Sequence, residues 1–245
     1  LRNNPEYLAN LLQQSRANQL KYLMGSWTSI ADSGCYWKRD WAEANMIQPE
    51  EVPLDCTWVR GYDFGGGAPS TSLPNPDYTV GVKIGKSRST QLYYVVDVVR
   101  YRENLPTIMD NVTNTAYADG LDECRVVIPR DTASSGKFAH QFMVRGFAER
   151  GVGVGTDVTS GHSSKLSKFL PFCSLSETGN VKFVRAAWND EYFNELAQFT
   201  GGERNKKDDC VDATSTAFKD LVRRCTVPTF TFDNSSFTKA SPLAT

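Results

Sequence analysis

The chain has 245 residues, of which 40% are hydrophobic and 22% charged, with a formal net charge of -1. This length fits one large domain or a domain with an added subdomain, and the composition excludes collagen-like, low-complexity and mostly disordered readings. No stretch approaches the roughly 20 apolar residues of a membrane span, and with so little net charge any nucleic-acid site must come from locally clustered basic groups.

Six cysteines stand at 35, 56, 124, 173, 210 and 225, none in a C-x-x-C pair, beside only two histidines, His140 and His162. That set argues against a Cys/His zinc site. The cysteines mostly sit in apolar runs and read as reduced core residues of a cytosolic protein. No signal or transit peptide is visible. The first residues lack an initiator Met and open in mid-pattern, as expected of a piece of something longer.

Residues 1–24 read as a helix, with Leu8, Leu11, Leu12, Leu20 and Leu23 at helical spacing and Pro5 near the first turn. Residues 25–50 are turn-rich with scattered Trp27, Tyr36, Trp37 and Trp41, and read as a linker subdomain packing on the next unit. Strands are predicted over 56–64, 78–84 and 91–101, separated by a proline-rich loop over 68–77 and a turn over 85–89. A helix over 104–119, a short strand around Arg125–Ile128 and a helix over 134–150 follow, with Phe138/Phe142 and Met143/Phe147 four apart. A strand over 152–158, a helix over 163–177, a strand over 181–186 and helices over 189–199 and 208–224 complete the pattern. The last 20 residues are polar and are expected to be poorly ordered. The expected division is 1–50 linker, 51–225 main domain and 226–245 tail. Three meander strands followed by alternating strands and helices predict an α/β fold, a ribonuclease H-like mixed central sheet flanked by helices.

Two glycine-rich stretches imitate phosphate loops. Gly81-Val-Lys-Ile-Gly85-Lys86-Ser87 has three residues between its glycines where a P-loop needs four, and a β-branched run follows it instead of a helix. Gly151-Val-Gly-Val-Gly155 misses the dinucleotide spacing. No ATP site is readable.

The acidic residues carry more. Asp63 ends a predicted strand, Asp131 directly follows another, and Asp208-Asp209-Cys-Val-Asp212 opens a helix. If the two strands are neighbours, their ends bring Asp63 and Asp131 together. Asp209 and Asp212 share a helix face, with Asp208 turned about 100° from Asp209. Two carboxylates 4 Å apart repel by about 4 kcal/mol at an effective dielectric of 20. Such a cluster therefore calls for a counter-charge, and oxygen-only ligands suit Mg²⁺ or Mn²⁺. Two ions about 4 Å apart can activate a water and stabilise the leaving oxygen of a phosphodiester. The bland alternatives are that Asp63 and Asp131 are turn residues and Asp208 or Asp209 a helix cap. His140, between Phe138 and Phe142, reads as structural, and His162 lies in a Gly-Ser loop.

Five segments, in order, resemble the nuclease domain of a tailed-phage terminase large subunit: Pro5-Glu-Tyr-Leu through Gly25-Ser-Trp27 to Trp41; Arg60-Gly-Tyr-Asp63-Phe-Gly through Pro76-Asp77-Tyr-Thr79; Ile128-Pro-Arg-Asp131 to Lys137; Gly179-Asn-Val-Lys-Phe to Phe199; and Lys207-Asp208-Asp209-Cys-Val-Asp212-Ala. The resemblance covers about residues 5–222. It implies a metal-dependent endonuclease that cuts concatemeric double-stranded DNA during viral genome packaging, with two Mg²⁺ or Mn²⁺ ions. Asp63, Asp131, Asp209 and Asp212 would hold the metals, and Asp77 would support them from nearby. The family's ATPase domain is missing from this stretch, which should not translocate DNA by itself. The implied partners are the portal protein and small terminase subunit, in the cytoplasm of the infected host, with the isolated domain a monomer. Lys83, Lys86 and Arg88, Arg130 and Lys137, Lys165, and Lys206 and Lys207 are the expected contacts to DNA phosphates. A junction-resolvase type of ribonuclease H-like nuclease, or a non-catalytic docking module of the packaging motor, are the alternatives.

Overall fold

The computed structural model describes residues 36–65, 67–72, 74–130, 134–158, 164–201 and 207–226. The helix expected over 1–24, the tail, Asp131, His162 and Lys206 therefore lie outside the described residues. The elements in order are α1 (Arg39–Glu43), β1 (Met46–Ile47), a 3₁₀ turn (Pro49–Glu51), β2 (Cys56–Asp63), β3 (Thr79–Ser87), β4 (Tyr93–Tyr101), α2 (Leu105–Asp119) and β5 (Cys124–Arg130). Then come α3 (Ser134–Glu149), β6 (Val154–Val158), α4 (Lys165–Glu177), β7 (Val181–Val184), α5 (Asn189–Gln198) and α6 (Asp209–Thr226).

The strands form one seven-stranded sheet in the order β1-β7-β4-β3-β2-β5-β6. The β2–β3 and β3–β4 pairs are antiparallel and the others parallel, so β3 alone runs against the rest. The mixed sheet with covering helices is the predicted ribonuclease H-like architecture. Its core lies in two clusters. One contains Val59, Val80, Val95, Phe169, Phe172, Phe183, Phe193, Ala213, Ala217 and Phe218, beneath α4, α5 and α6. The other contains Tyr62, Val126, Ile128, Ile108, Met109 and Phe147, beneath α2 and α3. Alternation along β2 divides the two: Val59, Gly61 and Asp63 share one face, Arg60 and Tyr62 the other.

Local chemistry sets the boundaries. Asn104 caps α2 by accepting from the Thr107 N–H at 3.1 Å, and Pro106 sits in its first turn. Ser164 caps α4 through the Ser167 N–H at 3.1 Å. The P-loop-like stretch is strand β3, and the glycine-rich run after α3 leads into β6, so neither is a phosphate loop. The predicted turn over 85–89 begins later, at Arg88, because Gly85 pairs with Trp58 and Tyr94 as strand and the Trp58 ring covers it. The described part of the expected linker, from Tyr36 on, is built into the sheet: Trp37 is fully buried against Phe183 and Phe193, and β1 pairs with β7. Cys124, Cys173 and Cys210 are buried, Cys56 half-buried and Cys225 exposed, all free thiols. Among the described residues no helix is long and apolar enough to cross a membrane.

Candidate metal and nuclease site

Asp63 is the last residue of β2 and lies on the face covered by α6. The helix can lie this close because of Gly61. A Cβ there would meet the Ala217 nitrogen at 2.3 Å and the Ala213 oxygen at 2.7 Å, both backbone atoms. Helix α6 therefore rests directly on β2, with its N-terminal acids near the strand's end. The carboxyl of Asp63 is held well above its ordinary range, by burial first, then by the charges of Asp212 and Asp209, while Lys165 opposes them. The carboxyl of Asp212 is raised as well, mainly by burial, although Lys165 counteracts it.

Lys165, the first residue of α4, reaches Asp208 at 2.7 Å and Asp212 at 2.6 Å. Its ammonium is held above the usual lysine range by these two carboxylates, against the opposing pull of burial. The spacing expectation thus needs one correction. Asp208 is not turned out of the cluster: as the i, i+4 neighbour of Asp212 it shares the same lysine. Asp209 points to the other side. Its Oδ2 accepts the Tyr78 N–H at 3.0 Å, and it is 4% exposed. Its pKa is pushed up to about 6; burial raises it, the Tyr78 N–H opposes this, and the charges of Glu195 and Asp77 add to the rise. Asp77 itself is exposed and stands next to Tyr78 in the chain.

Strand β5 lies beside β2 in parallel, with Gly61 opposite Val127, as the reading of neighbouring strands required. It ends at Arg130, so Asp131 follows next in sequence. The donors at this edge are carboxylate oxygens, the chemistry of a hard divalent cation. Asp63 and Asp212, both held high by burial and by nearby carboxylates with Lys165 as counter-charge, fit two of the donors such an ion needs. Among the described residues no group of three acidic, histidine or cysteine side chains is by itself arranged to hold one.

The expected DNA contacts separate into two groups. Lys165 and Lys207 are at the acidic edge, and Arg130 and Lys137 line a shallow groove of about 390 Å³ with His140, Gln141 and Arg145. His140 is buried and within 3.1 Å of Thr156, the structural role read for it. The second group is elsewhere. Lys83 lies on the opposite sheet face, bound to Asp119 at 2.9 Å within a network where Arg60 joins Asp119 and Asp97. Lys86 pairs opposite Thr57 while Asp63 pairs opposite Val80, six residues away along β3, about 20 Å at strand rise. Lys86 and Arg88 are therefore at the far edge of the sheet. The hairpin carries them away from the acids because β3 runs antiparallel to β2.

Sequence reasoning missed a cationic group on the near edge. Arg100 and Arg102, two apart on β4 and just beyond it, stack on Tyr78 with guanidinium carbons 4.3 and 3.7 Å from the ring centre, and the Lys207 ammonium is 5.2 Å away. The period-two spacing of the arginines was the available signal, but their partner Tyr78 comes from a different strand.

The terminase RNaseH-like domain family model matches residues 60–221. Among solved structures, the P22 large terminase nuclease domain is similar at TM-score 0.52 and 18% identity, covering 74% of this chain and 89% of that one. The nuclease domain of the bacteriophage SPP1 large terminase, with bound Mn, is similar at TM-score 0.50 and 15% identity, over 72% and 96%. The large terminase nuclease from thermophilic phage G20c, with bound magnesium, gives 0.50 and 16%, over 76% and 96%. At these identities the structures speak for the fold. No curated protein matches the chain. With its fold and two thirds of its length accounted for by one family model, the chain belongs to the terminase RNaseH-like domain family.

Proposed function

We propose that this domain is a divalent-metal-dependent endodeoxyribonuclease that cuts concatemeric double-stranded DNA during viral genome packaging. The observation that carries this reading is the direct packing of α6 on β2 at Gly61, which brings the acids at the start of the helix, Asp212 foremost, to the Asp63 end of the strand. Asp63, Asp131 and Asp212 would hold Mg²⁺ or Mn²⁺, and Asp209 would offer the oxygen not engaged by Tyr78. Asp212 is the principal α6 ligand in this reading, because the Asp209 carboxyl is drawn aside by the Tyr78 N–H. Two bound cations would supply an activated water and stabilise the leaving oxygen. The protein's own residues do the rest. Gly61 lets α6 bring its acids to β2. Tyr78 fixes Asp209 through a backbone bond. Lys165 neutralises Asp208 and Asp212, and a cation held by Asp212 would leave its ammonium available to a DNA phosphate. Asp77 would support the site by adding negative charge beside Asp209, which a bound cation would offset. The Mn- and magnesium-bound relatives support this choice of cation. In the full motor the partners would be double-stranded DNA, the portal protein and the small terminase subunit, in the host cytoplasm, with the isolated domain a monomer.

The test is conversion of supercoiled plasmid by the purified chain. Nicking in Mn²⁺ or Mg²⁺ that stops in EDTA is expected. Cleavage that persists in EDTA would refute the metal reading, and no cleavage in any divalent cation would leave the domain a docking module.

A further inference from the structure

Tyr78 stands among three cations: Arg100, Arg102 and Lys207 all lie within 6 Å of its ring. Like charges this close repel, so each needs a compensating partner. Arg100 has one, since its guanidinium contacts Glu191 at 2.8 Å and Glu195 at 3.2 Å. Arg102 and Lys207 form no ion pair among the described residues, and the Nε and Nη2 of Arg102 are buried without any hydrogen-bond partner. Arg102 and Lys207 thus hold two positive charges against the Tyr78 ring with no carboxylate among the described residues to balance them, and that charge is available to an anion such as a phosphate.

The position of these cations is set by the sheet. Asp63 pairs opposite Val80, and Val80 opposite Arg100, so the three form one row across β2, β3 and β4. Residues directly opposite share a face, so Arg100 stands on the Asp63 side, two strand spacings away, about 10 Å. Arg102 and Tyr78 lie one step further along, past the ends of β4 and β3. At a rise of about 3.4 Å per nucleotide on one strand, this is a few nucleotides from a phosphate at Asp63.

We infer that Arg102 and Lys207, braced by Tyr78, form a positioning clamp for a backbone phosphate of the DNA strand a few nucleotides from the one being cut. This rests on the nuclease reading for its substrate. The clamp holds the strand in register with the acids. It reads no base, because guanidinium and ammonium groups on a phosphate carry no sequence information.

The experiment is the binding of a fluorescent 20-base-pair duplex to the full chain in EDTA, followed by anisotropy over a salt series. Arg102→Gln and Lys207→Gln should each weaken binding about tenfold, the worth of one charge-assisted contact, and each should flatten the salt slope by about 0.9. Arg102→Lys should recover the slope but only part of the affinity, since the charge remains and the close contact of the guanidinium with the Tyr78 ring is lost. Arg224→Gln, an exposed arginine near the other end of α6, should leave the slope unchanged. Wild-type affinity and slope in Arg102→Gln would overturn the clamp even if the chain cuts DNA. An Arg102-dependent slope in a chain that fails to cut in Mn²⁺ would uphold the clamp and overturn the nuclease reading instead. No duplex binding at all would overturn both.

Discussion

Replacing Asp209 by asparagine should make the metal-free protein more stable at neutral pH. Asp209 is 4% exposed and its pKa is pushed up from 3.8 to about 6. At about 1.4 kcal/mol per unit, keeping it ionised in the folded state at pH 7.5 costs on the order of 3 kcal/mol. Because the folded value lies above the unfolded one, this group's contribution to stability is complete below about pH 4 and is lost as pH rises through about 6. Asparagine removes the charge but still offers an oxygen to the Tyr78 N–H. The bond becomes neutral rather than charge-assisted, which takes back about 1 kcal/mol. The net gain is about 2 kcal/mol, or about 4–8 °C in melting temperature for a domain of this size. The assay is thermal unfolding of both proteins in EDTA at pH 7.5 and at pH 4, where the gain should vanish because Asp209 is already protonated. A variant that melts at or below wild type at pH 7.5, or a gain that is the same at both pH values, would refute the electrostatic account of this cluster.

Other outcomes follow from the same geometry. Lys165→Met should lower the melting temperature in EDTA, since Asp208 and Asp212 lose their shared counter-charge, and should enlarge the stabilisation that added Mn²⁺ produces; equal Mn²⁺ responses in variant and wild type would contradict the exchange of lysine for metal. Gly61→Ala should destabilise by about 1–3 kcal/mol or more, because its Cβ collides with the backbone of α6, and should abolish cleavage by moving the helix acids; urea unfolding and plasmid nicking check the two effects. Trp37→Ala, which empties a fully buried site, should cost about 3–5 kcal/mol in the same urea assay. The chain should show no ATPase activity, and a rate abolished by Lys86→Ala would overturn the reading of residues 81–87 as a plain strand.

The strands and helices were legible because their periods are clean: the β-branched run of β4 and the four-residue spacing of the phenylalanines in α3 each admit one local structure. The neighbouring of β2 and β5 was legible too, since it was the condition for two strand-end acids to meet. What the sequence hid were facts of three-dimensional register. A turn seen in sequence does not say at which edge of the sheet it falls, so Lys86 and Arg88 were read as flanking acids that lie about 20 Å away. Nor does i, i+3 spacing fix which acids of α6 act together. Lys165, 43 residues before Asp208, selects Asp208 with Asp212, and the amide of Tyr78 draws Asp209 aside. Trp37 was legible as a residue packing on the next unit, and it does so against Phe183 and Phe193; what the turn-rich stretch hid was that β1 beside it joins the sheet.

The most direct test of the account is single-turnover cleavage of supercoiled plasmid in Mn²⁺ by Asp63→Asn, beside its melting temperature in EDTA. The variant is isosteric with the protonated carboxyl that burial and Asp212 favour, so the account predicts a folded protein at least as stable as wild type. Its cleavage should fall by on the order of 10³-fold, the worth of several kcal/mol of transition-state stabilisation. Near-wild-type cleavage by folded Asp63→Asn would contradict it.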